Sequence, residues 1–152
     1  MKEAQQQTYK VQYSTRINAA KEKVWNTMLN EDTYRNWTDA FTEGSYYKGS
    51  WDKGSKILFL DPEGSGMVSR IADNKPYQFV SIEHLGFVKD GVEDLESEEA
   101  KAVTGAYENY TFTEKDGATE VLVELDLNDQ YKEMFDELWP KALAKLKKII
   151  EE

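Results

Sequence analysis

The sequence predicts an α+β fold in which a seven-stranded, curved antiparallel sheet wraps around one long C-terminal helix. Three observations lead to this prediction. The chain of 152 residues has the size of one ordinary domain. Its middle alternates between apolar and polar residues, with glycine-containing turns between the alternating runs. Its C-terminal segment repeats apolar residues at helical spacing. We therefore expect a single domain over residues 1–152.

The first elements are one strand and two short helices. Residues 8–17 alternate in polarity and predict a half-buried strand, preceded by a polar segment (1–7) that we expect to be frayed. Asn18 can cap the helix that follows. That helix carries one apolar stripe, formed by Val24, Trp25, Met28 and Leu29. A second short helix or turn at 32–37 would return Trp37 to the body of the domain.

Six further strands are predicted between turns that contain Gly, Asn or Asp, at residues 43–51, 55–60, 66–72, 77–88, 105–114 and 119–127. Short strands joined by tight turns favour an antiparallel meander. The last strand shows the clearest alternation, because Val121, Val123 and Leu125 lie on one face and acidic residues on the other. The segment 92–101 has five acids within 93–99 and is expected to be a solvated loop or short helix.

The final segment, 129–152, predicts a long amphipathic helix. Acidic residues lead and lysines follow, the order that the helix dipole favours. Pro140 lies inside the pattern, and we expect it to bend the helix so that the helix follows the curved sheet. The apolar stripe contains Tyr131, Phe135, Leu138, Ala142, Leu146 and Ile149.

One long helix covering a seven-stranded sheet leaves a gap unless side chains fill it. The chain has 4 Trp, 9 Tyr and 6 Phe, which is many for a sequence of mean hydropathy −0.74. Most aromatic residues pack in cores, but this architecture predicts that some line a pocket between sheet and helix. The apolar residues expected on its wall are Trp37, Phe59, Met67, Phe135, Leu138 and Trp139.

Charge and composition exclude several classes of function. The 29 Asp and Glu exceed the 19 Lys and Arg, giving a net charge of −10, which disfavours binding to nucleic acid. No apolar run approaches the roughly 20 residues needed to span a bilayer, and no leader is visible. We therefore expect a cytoplasmic protein without membrane insertion. With no cysteine, one histidine and scattered carboxylates, we expect no metal and no cofactor.

His84 is the natural candidate for proton transfer, since imidazole exchanges protons near neutral pH. Strict alternation would place it on the same strand face as Val80, Ile82 and Val88, where it could point into the pocket. Without a paired nucleophile or a second histidine, it could equally be a structural residue. The sequence shows no complete catalytic constellation.

Glu108 and Tyr110 lie two residues apart on one strand, so their side chains share a face. A carboxylate and a phenol facing the pocket could orient a polar ligand group. Alternatively, Glu108 faces water or pairs with a cation such as Arg70, in which case Tyr107 would be the inward aromatic residue. The mixed pattern of this strand leaves the two interpretations open.

Several short motifs in this order resemble one family over nearly the whole chain. They are INAAKEKVW at 17–25, Trp37, WDKGSKILF at 51–59, GSGM at 64–67 and LWPKALAKLKKI at 138–149. The chain resembles the helix-grip SRPBCC (START-like) superfamily, and within it the branch homologous to the activator of the heat-shock protein ninety ATPase. EHLG at 83–86 and ENY at 108–110 look like features of a bacterial subset of that branch.

The resemblance implies a helix-grip fold and a choice among functions, because one fold can serve many functions. The leading expectation is binding of a small apolar or amphipathic molecule in the pocket, with His84, Glu108 and Tyr110 orienting it. The alternatives are an enzyme of the polyketide cyclase or hydrolase kind and a cochaperone-like module with a chaperone partner. The resemblance covers no counterpart of the additional N-terminal domain of the eukaryotic activator, so we expect the full cochaperone role less than ligand binding.

Overall fold

The computed structural model describes residues 8–152, with side chains described for 9–127 and 131–152. The segment 1–7, expected to be frayed, lies outside the described residues. The fold is α+β, with an antiparallel curved sheet and a long C-terminal helix, as the sequence predicts. In the described part of the chain, no helix combines the length and the apolar character needed to cross a membrane.

The elements follow the predicted order. The strands are β1 (Thr8–Ile17), β2 (Tyr46–Gly49), β3 (Lys56–Leu60), β4 (Gly66–Lys75), β5 (Phe79–Lys89), β6 (Val92–Asp94), β7 (Tyr107–Lys115) and β8 (Ala118–Asn128). The helices are α1 (Lys21–Leu29), α2 (Glu31–Trp37), α3 (Glu98–Val103) and α4 (Asp129–Glu151), with a single 3-10 turn at Thr38–Ala40. Helix α4 continues through Pro140.

The strand order in the sheet is β1-β8-β7-β5-β4-β3-β2. The chain thus begins at one edge and reaches β2 at the opposite edge, and α1 and α2 make this crossing. Both helices contact α4, and α4 packs against β1 and β8. The crossing helices and α4 therefore cover the same concave face of the sheet.

The acidic segment 92–101, expected to be a solvated loop or short helix, contains a short additional strand followed by a helix. Strand β6 pairs with the end of β5, with Phe87 opposite Asp94. Helix α3 follows, and the Ser97 hydroxyl caps it by accepting a hydrogen bond of 3.1 Å from the Ala100 amide. The three residues of β6 are mostly polar and show no alternation, so only their pairing with β5 identifies the strand.

A β-bulge interrupts the pairing of β4 with β5. Val68 pairs with Gly86, but the next residue, Ser69, pairs with His84, so Leu85 has no partner on β4. An extra residue on one strand reverses the alternation of side chains beyond it.

The bulge corrects the expected sidedness of β5. His84 and Phe87 both line the concave side, whereas Val88 packs with Leu60 and Val68 in a separate buried cluster. The expectation that Val88 shares the face of His84 is therefore wrong, because strict alternation does not continue through an unpaired residue.

The main core lies between the concave face and the helices. Two buried aromatic side chains place their polar ends on carbonyl groups near the end of α1. The Trp37 indole donates to the Met28 carbonyl at 3.0 Å, and the Tyr47 hydroxyl donates to the Leu29 carbonyl at 2.6 Å. Carbonyls at a helix end have no partner within the helix. These bonds therefore satisfy them while the rings stay in the core.

Candidate ligand-binding cavity

A cavity of about 430 Å³ lies between the concave face of the sheet and helix α4. Its wall is formed by α2, α3, α4 and strands β3, β4, β5, β7 and β8. Cavities of this size accommodate small organic molecules. Near the surface the wall includes Met134 and Tyr107, which are 45% and 37% exposed, so the cavity is accessible from solvent.

All but one of the residues predicted to line the pocket lie on its wall: Trp37, Phe59, Met67, His84, Glu108, Tyr110, Phe135 and Trp139. The exception is Leu138, which is half-buried and does not line the cavity. A helix turns by about 100° per residue. Phe135 and Trp139 therefore face the cavity together, whereas Leu138 lies at the edge of the apolar stripe.

Sequence reasoning missed several wall residues: Tyr34, Phe41, Phe87, Ala102, Val103 and Ala106. Phe87 faces the cavity because of the bulge, which alternation does not reveal. Ala102 and Val103 end helix α3, just beyond the acidic segment 92–101 that the sequence predicts to be a solvated loop or short helix. Tyr34 could have been found, since it lies three residues before Trp37 and so on the same side of a helix.

The structure places Glu108 and Tyr110 on the cavity side of β7. The alternative pairing of Glu108 with Arg70 is wrong, because Arg70 forms its ion pair with Glu83 at 2.8 Å. Tyr107 reaches the wall only at the exposed end of the cavity and is not the inward aromatic residue.

Four side chains form a continuous hydrogen-bonded chain across three strands. The Ser69 hydroxyl contacts His84 Nδ1 at 2.7 Å, and His84 Nε2 contacts Glu108 Oε1 at 3.1 Å. The Tyr110 hydroxyl donates to the other oxygen of the Glu108 carboxylate. Strand register produces this arrangement, because Ser69 pairs with His84 and Glu108 pairs with Ile82, two residues from His84.

The directions of these hydrogen bonds follow from the donors available. An ionised Glu108 accepts from both His84 and Tyr110, which requires a proton on His84 Nε2. In the neutral imidazole, Nδ1 then accepts from Ser69. Burial raises the pKa of Tyr110 far above its usual value, and the negative charge of Glu108 raises it further. The Tyr34 pKa is raised by burial and by Glu108 in the same way, so both phenols remain neutral donors.

The order Ser69, His84, Glu108 resembles the hydrogen-bond pattern of a hydrolase triad. However, Ser69 is completely buried and does not line the cavity. A nucleophile must reach the reacting carbon of a bound substrate. Ser69 is therefore placed to hold the His84 ring in position, and it cannot attack a molecule in the cavity.

The rest of the wall offers little for other chemistry. Within residues 8–152, as far as their side chains are described, no group of three or more His, Asp or Glu residues could hold a metal ion. What the arrangement supplies is an aromatic and aliphatic enclosure in which the Glu108 carboxylate, the His84 imidazole and neutral phenols are hydrogen-bonded to one another or lie close together.

No protein-family model and no curated protein matches this sequence. Solved structures do match. The Aha1 dimer from Colwellia psychrerythraea is 17% identical, with a TM-score of 0.70 over 94% of this chain and 96% of that chain. CalU16 from Micromonospora echinospora is 16% identical, with a TM-score of 0.64 over 94% of this chain and 76% of that chain.

DynU16, from the dynemicin biosynthetic locus, is 13% identical, with a TM-score of 0.70 over 93% of this chain. The present chain spans 47% of the length of DynU16, about half. At these identities the likenesses show the fold alone.

These structures confirm the helix-grip fold that the sequence motifs indicate. An Aha1 structure is among them, so this chain shares its fold with that protein. A chaperone partner stays a prediction, because a shared fold does not transfer a partner.

Proposed function

We propose that this protein binds a small hydrophobic or amphipathic molecule in the cavity between the sheet and α4. The observation that carries the proposal is the cavity of about 430 Å³, with an aromatic and aliphatic wall and few polar groups. Binding sites for small molecules usually combine an apolar wall with a few polar groups that fix the orientation of the ligand. His84, Glu108 and Tyr110 have the positions for this second task.

The energetics support a molecule that buries its apolar surface. Removing about 200 Å² of apolar ligand surface from water would contribute about 5 kcal/mol before the entropic costs of association. Rings on the wall pack at contact distance of one another, such as Tyr110 and Trp139 with centroids 6.0 Å apart. The wall is thus formed before a ligand enters, which lowers the cost of ordering it.

The test is to fill the cavity with a side chain. Ala106 lies on the wall and is half-buried, whereas Ala144 is exposed on α4 and does not line the cavity. We expect octanol and tryptophol to shift NMR signals of wall residues, and Ala106→Phe to weaken this binding at least about tenfold, roughly 1.4 kcal/mol. Ala144→Phe, the matched control, should change affinity by less than about twofold.

Both variants should first be compared with the unmodified chain by melting temperature and by the dispersion of their NMR spectra. Binding that persists in folded Ala106→Phe, or shifts that map only to the convex face of the sheet, would contradict the proposal.

A second candidate is proton transfer on a bound molecule, favoured by the position of His84 on the cavity wall, 3.1 Å from Glu108. A general base must reach the proton that it removes. Both ring nitrogens of His84 are bonded in this structure, to Ser69 and to Glu108, so one of these bonds must open before His84 accepts a proton from a ligand. The test is deuterium uptake beside the carbonyl of 4-phenyl-2-butanone in D₂O, followed by NMR. Uptake no faster than in buffer, or equally fast in His84→Asn, would count against this candidate.

A further inference from the structure

The charges on the cavity wall have one sign. In the described part of the chain, the wall carries three carboxylates, those of Asp61, Glu108 and Asp126, and no lysine or arginine. Their surroundings differ, and this difference decides which of them can bind a ligand group.

The two aspartates already have partners outside the cavity. Asp126 forms an ion pair of 3.0 Å with Lys10, and its second oxygen accepts from the Tyr107 amide at 3.0 Å. Asp61 accepts from two backbone amides of its own turn, at 2.9 and 3.0 Å. Both are therefore engaged in holding local structure.

Glu108 differs from both aspartates, because its partners are side chains that themselves line the cavity. Its partners are the His84 imidazole and the Tyr110 hydroxyl, and no lysine or arginine of the described residues forms an ion pair with it. Its side chain is 21% exposed, so solvent still reaches it. Each carboxylate oxygen can accept a second hydrogen bond, so Glu108 retains acceptor capacity on the cavity side.

A wholly apolar ligand would remove this remaining water and leave the carboxylate poorly solvated, which is costly for a buried charge. A ligand that carries its own positive charge would replace the water instead. The surrounding rings favour such a group too, because aromatic faces attract cations. Aromatic side chains lie near the carboxylate: the Tyr110 hydroxyl contacts Glu108, and the Phe59 ring centroid lies 6.5 Å from that of His84, the other partner of Glu108.

We propose that the ligand is an organic cation: an amine with an alkyl or aryl body that occupies the aromatic wall and an ammonium group that lies against Glu108. This inference rests on the proposed binding function and names its ligand class. It also predicts discrimination, because a carboxylate-bearing ligand of the same shape would face Glu108 without a balancing positive charge.

The test uses two series of probes with matched shapes at neutral pH: octylamine, octanol and octanoate, and tryptamine, tryptophol and indole-3-acetate. Affinities are measured by NMR titration of the unmodified chain. We expect each amine to bind on the order of tenfold more tightly than its alcohol, and each acid to bind more weakly than the alcohol.

Glu108→Gln removes the charge but retains the shape and an acceptor oxygen. In this variant we expect the amine to lose its advantage, so that amine and alcohol bind within about twofold of each other. Glu120→Gln is the matched control: Glu120 is exposed on β8 and away from the cavity wall, and the change in net charge is the same. It should retain the preference for the amine.

The outcomes separate the two proposals. If no probe of either series shifts the signals of wall residues, both the binding function and the cation proposal fail. If the alcohols or acids bind in the cavity as tightly as the amines, the binding function stands and the cation proposal is overturned. If Glu108→Gln fails to fold, the ranking of probes on the unmodified chain still decides between these results.

Discussion

At the scale of residues, the least typical feature of the core is a line of hydrogen-bonded polar side chains. It runs from Ser69 through His84 and Glu108 to Tyr110. It crosses β4, β5 and β7, so each strand positions one part of it. Buried polar networks stabilise a fold only when all their groups are paired. These hydrogen bonds therefore fix the relative positions of the Glu108 carboxylate and the His84 imidazole, which face the cavity.

Removing the Ser69 hydroxyl, the buried end of this hydrogen-bonded network, tests whether Ser69 only positions His84. We expect Ser69→Ala to lower the free energy of unfolding by about 1 to 3 kcal/mol, because His84 Nδ1 loses its partner in the protein. Urea denaturation measures this change. Ser81→Ala is the matched control. Ser81 is also buried and lies on the neighbouring strand, but it is not part of this hydrogen-bonded network.

The same variant has a second readout. Binding of tryptamine should weaken only modestly, by less than about threefold, because Ser69 does not line the cavity. A complete loss of binding in a folded Ser69→Ala protein would mean that the hydroxyl has a direct role that its burial does not suggest.

Two local elements shape the cavity at the next scale. The bulge at Leu85 turns Phe87 towards the cavity, and the hairpin of β5 with β6 leads into α3, which closes part of the wall with Ala102 and Val103. Gly86 allows β5 and the segment after β6 to approach closely in this hairpin. A Cβ at this position would lie 2.4 Å from the Asp94 carbonyl oxygen and 2.6 Å from Leu95 Cδ2.

Gly86→Ala should therefore displace β6 and α3 while leaving the rest of the sheet in place. We expect a loss of about 1 to 3 kcal/mol in the free energy of unfolding, as is typical of overpacked sites. Hydrogen exchange should accelerate in residues 92–103 and remain slow in β8. Uniform acceleration across the whole chain would argue against a local effect.

Side chains also attach helix α4 to β1 along its length. The Tyr13 hydroxyl donates to Asp136 at 2.7 Å, and the Glu151 carboxylate accepts from the Asn18 amide at 2.8 Å. Between them, the Lys147 ammonium donates to the Arg16 carbonyl at 2.6 Å. These contacts connect α4, from Asp136 to its C-terminal end, to β1 and the residue that follows it.

At the scale of the whole molecule, ionisable groups limit stability at both extremes of pH. The pKa of Asp136 is lowered chiefly by a hydrogen bond from Lys132, and that of Glu151 chiefly by one from Lys147. The pKa values of Tyr34 and Tyr110 are raised chiefly by burial.

The directions of these pKa shifts predict that the stability of the fold changes little with pH over a central range. A carboxylate with a lowered pKa stabilises the fold above its unfolded value, near 3.8 for Asp136 and 4.5 for Glu151, and this stability is lost as the pH falls. A phenol with a raised pKa stabilises the fold fully below its unfolded value of 10.0, and this stability is lost as the pH rises above it.

We therefore expect the melting temperature to be nearly constant between about pH 5 and 9 and to fall on both sides. In alkali, the absorbance of Tyr34 and Tyr110 should change only together with unfolding, monitored by circular dichroism. In Tyr110→Phe, the decline above pH 10 should be shallower. Ionisation of all tyrosines before any loss of structure would contradict this prediction.

Most of the fold could be predicted from sequence because its signals are local. Alternation in 119–127, the helical spacing from Tyr131 to Ile149 and the order of the elements need only near neighbours in the chain. The aromatic excess also indicated a cavity wall, and most of the residues named for it line the cavity. The sequence by itself thus determined the α+β class, the strand order along the chain and the wall-forming helix.

The tertiary structure alone decided which polar groups meet. Leu85, which has no partner on β4, reverses the alternation of side chains along β5. The pairing of Glu108 with Ile82 brings the carboxylate to His84. Helix α3 closes part of the cavity. Strand register depends on contacts between residues far apart in sequence, and a shift of one residue moves a side chain to the other face. The volume between sheet and helix depends on the same long-range packing, and no local pattern records it.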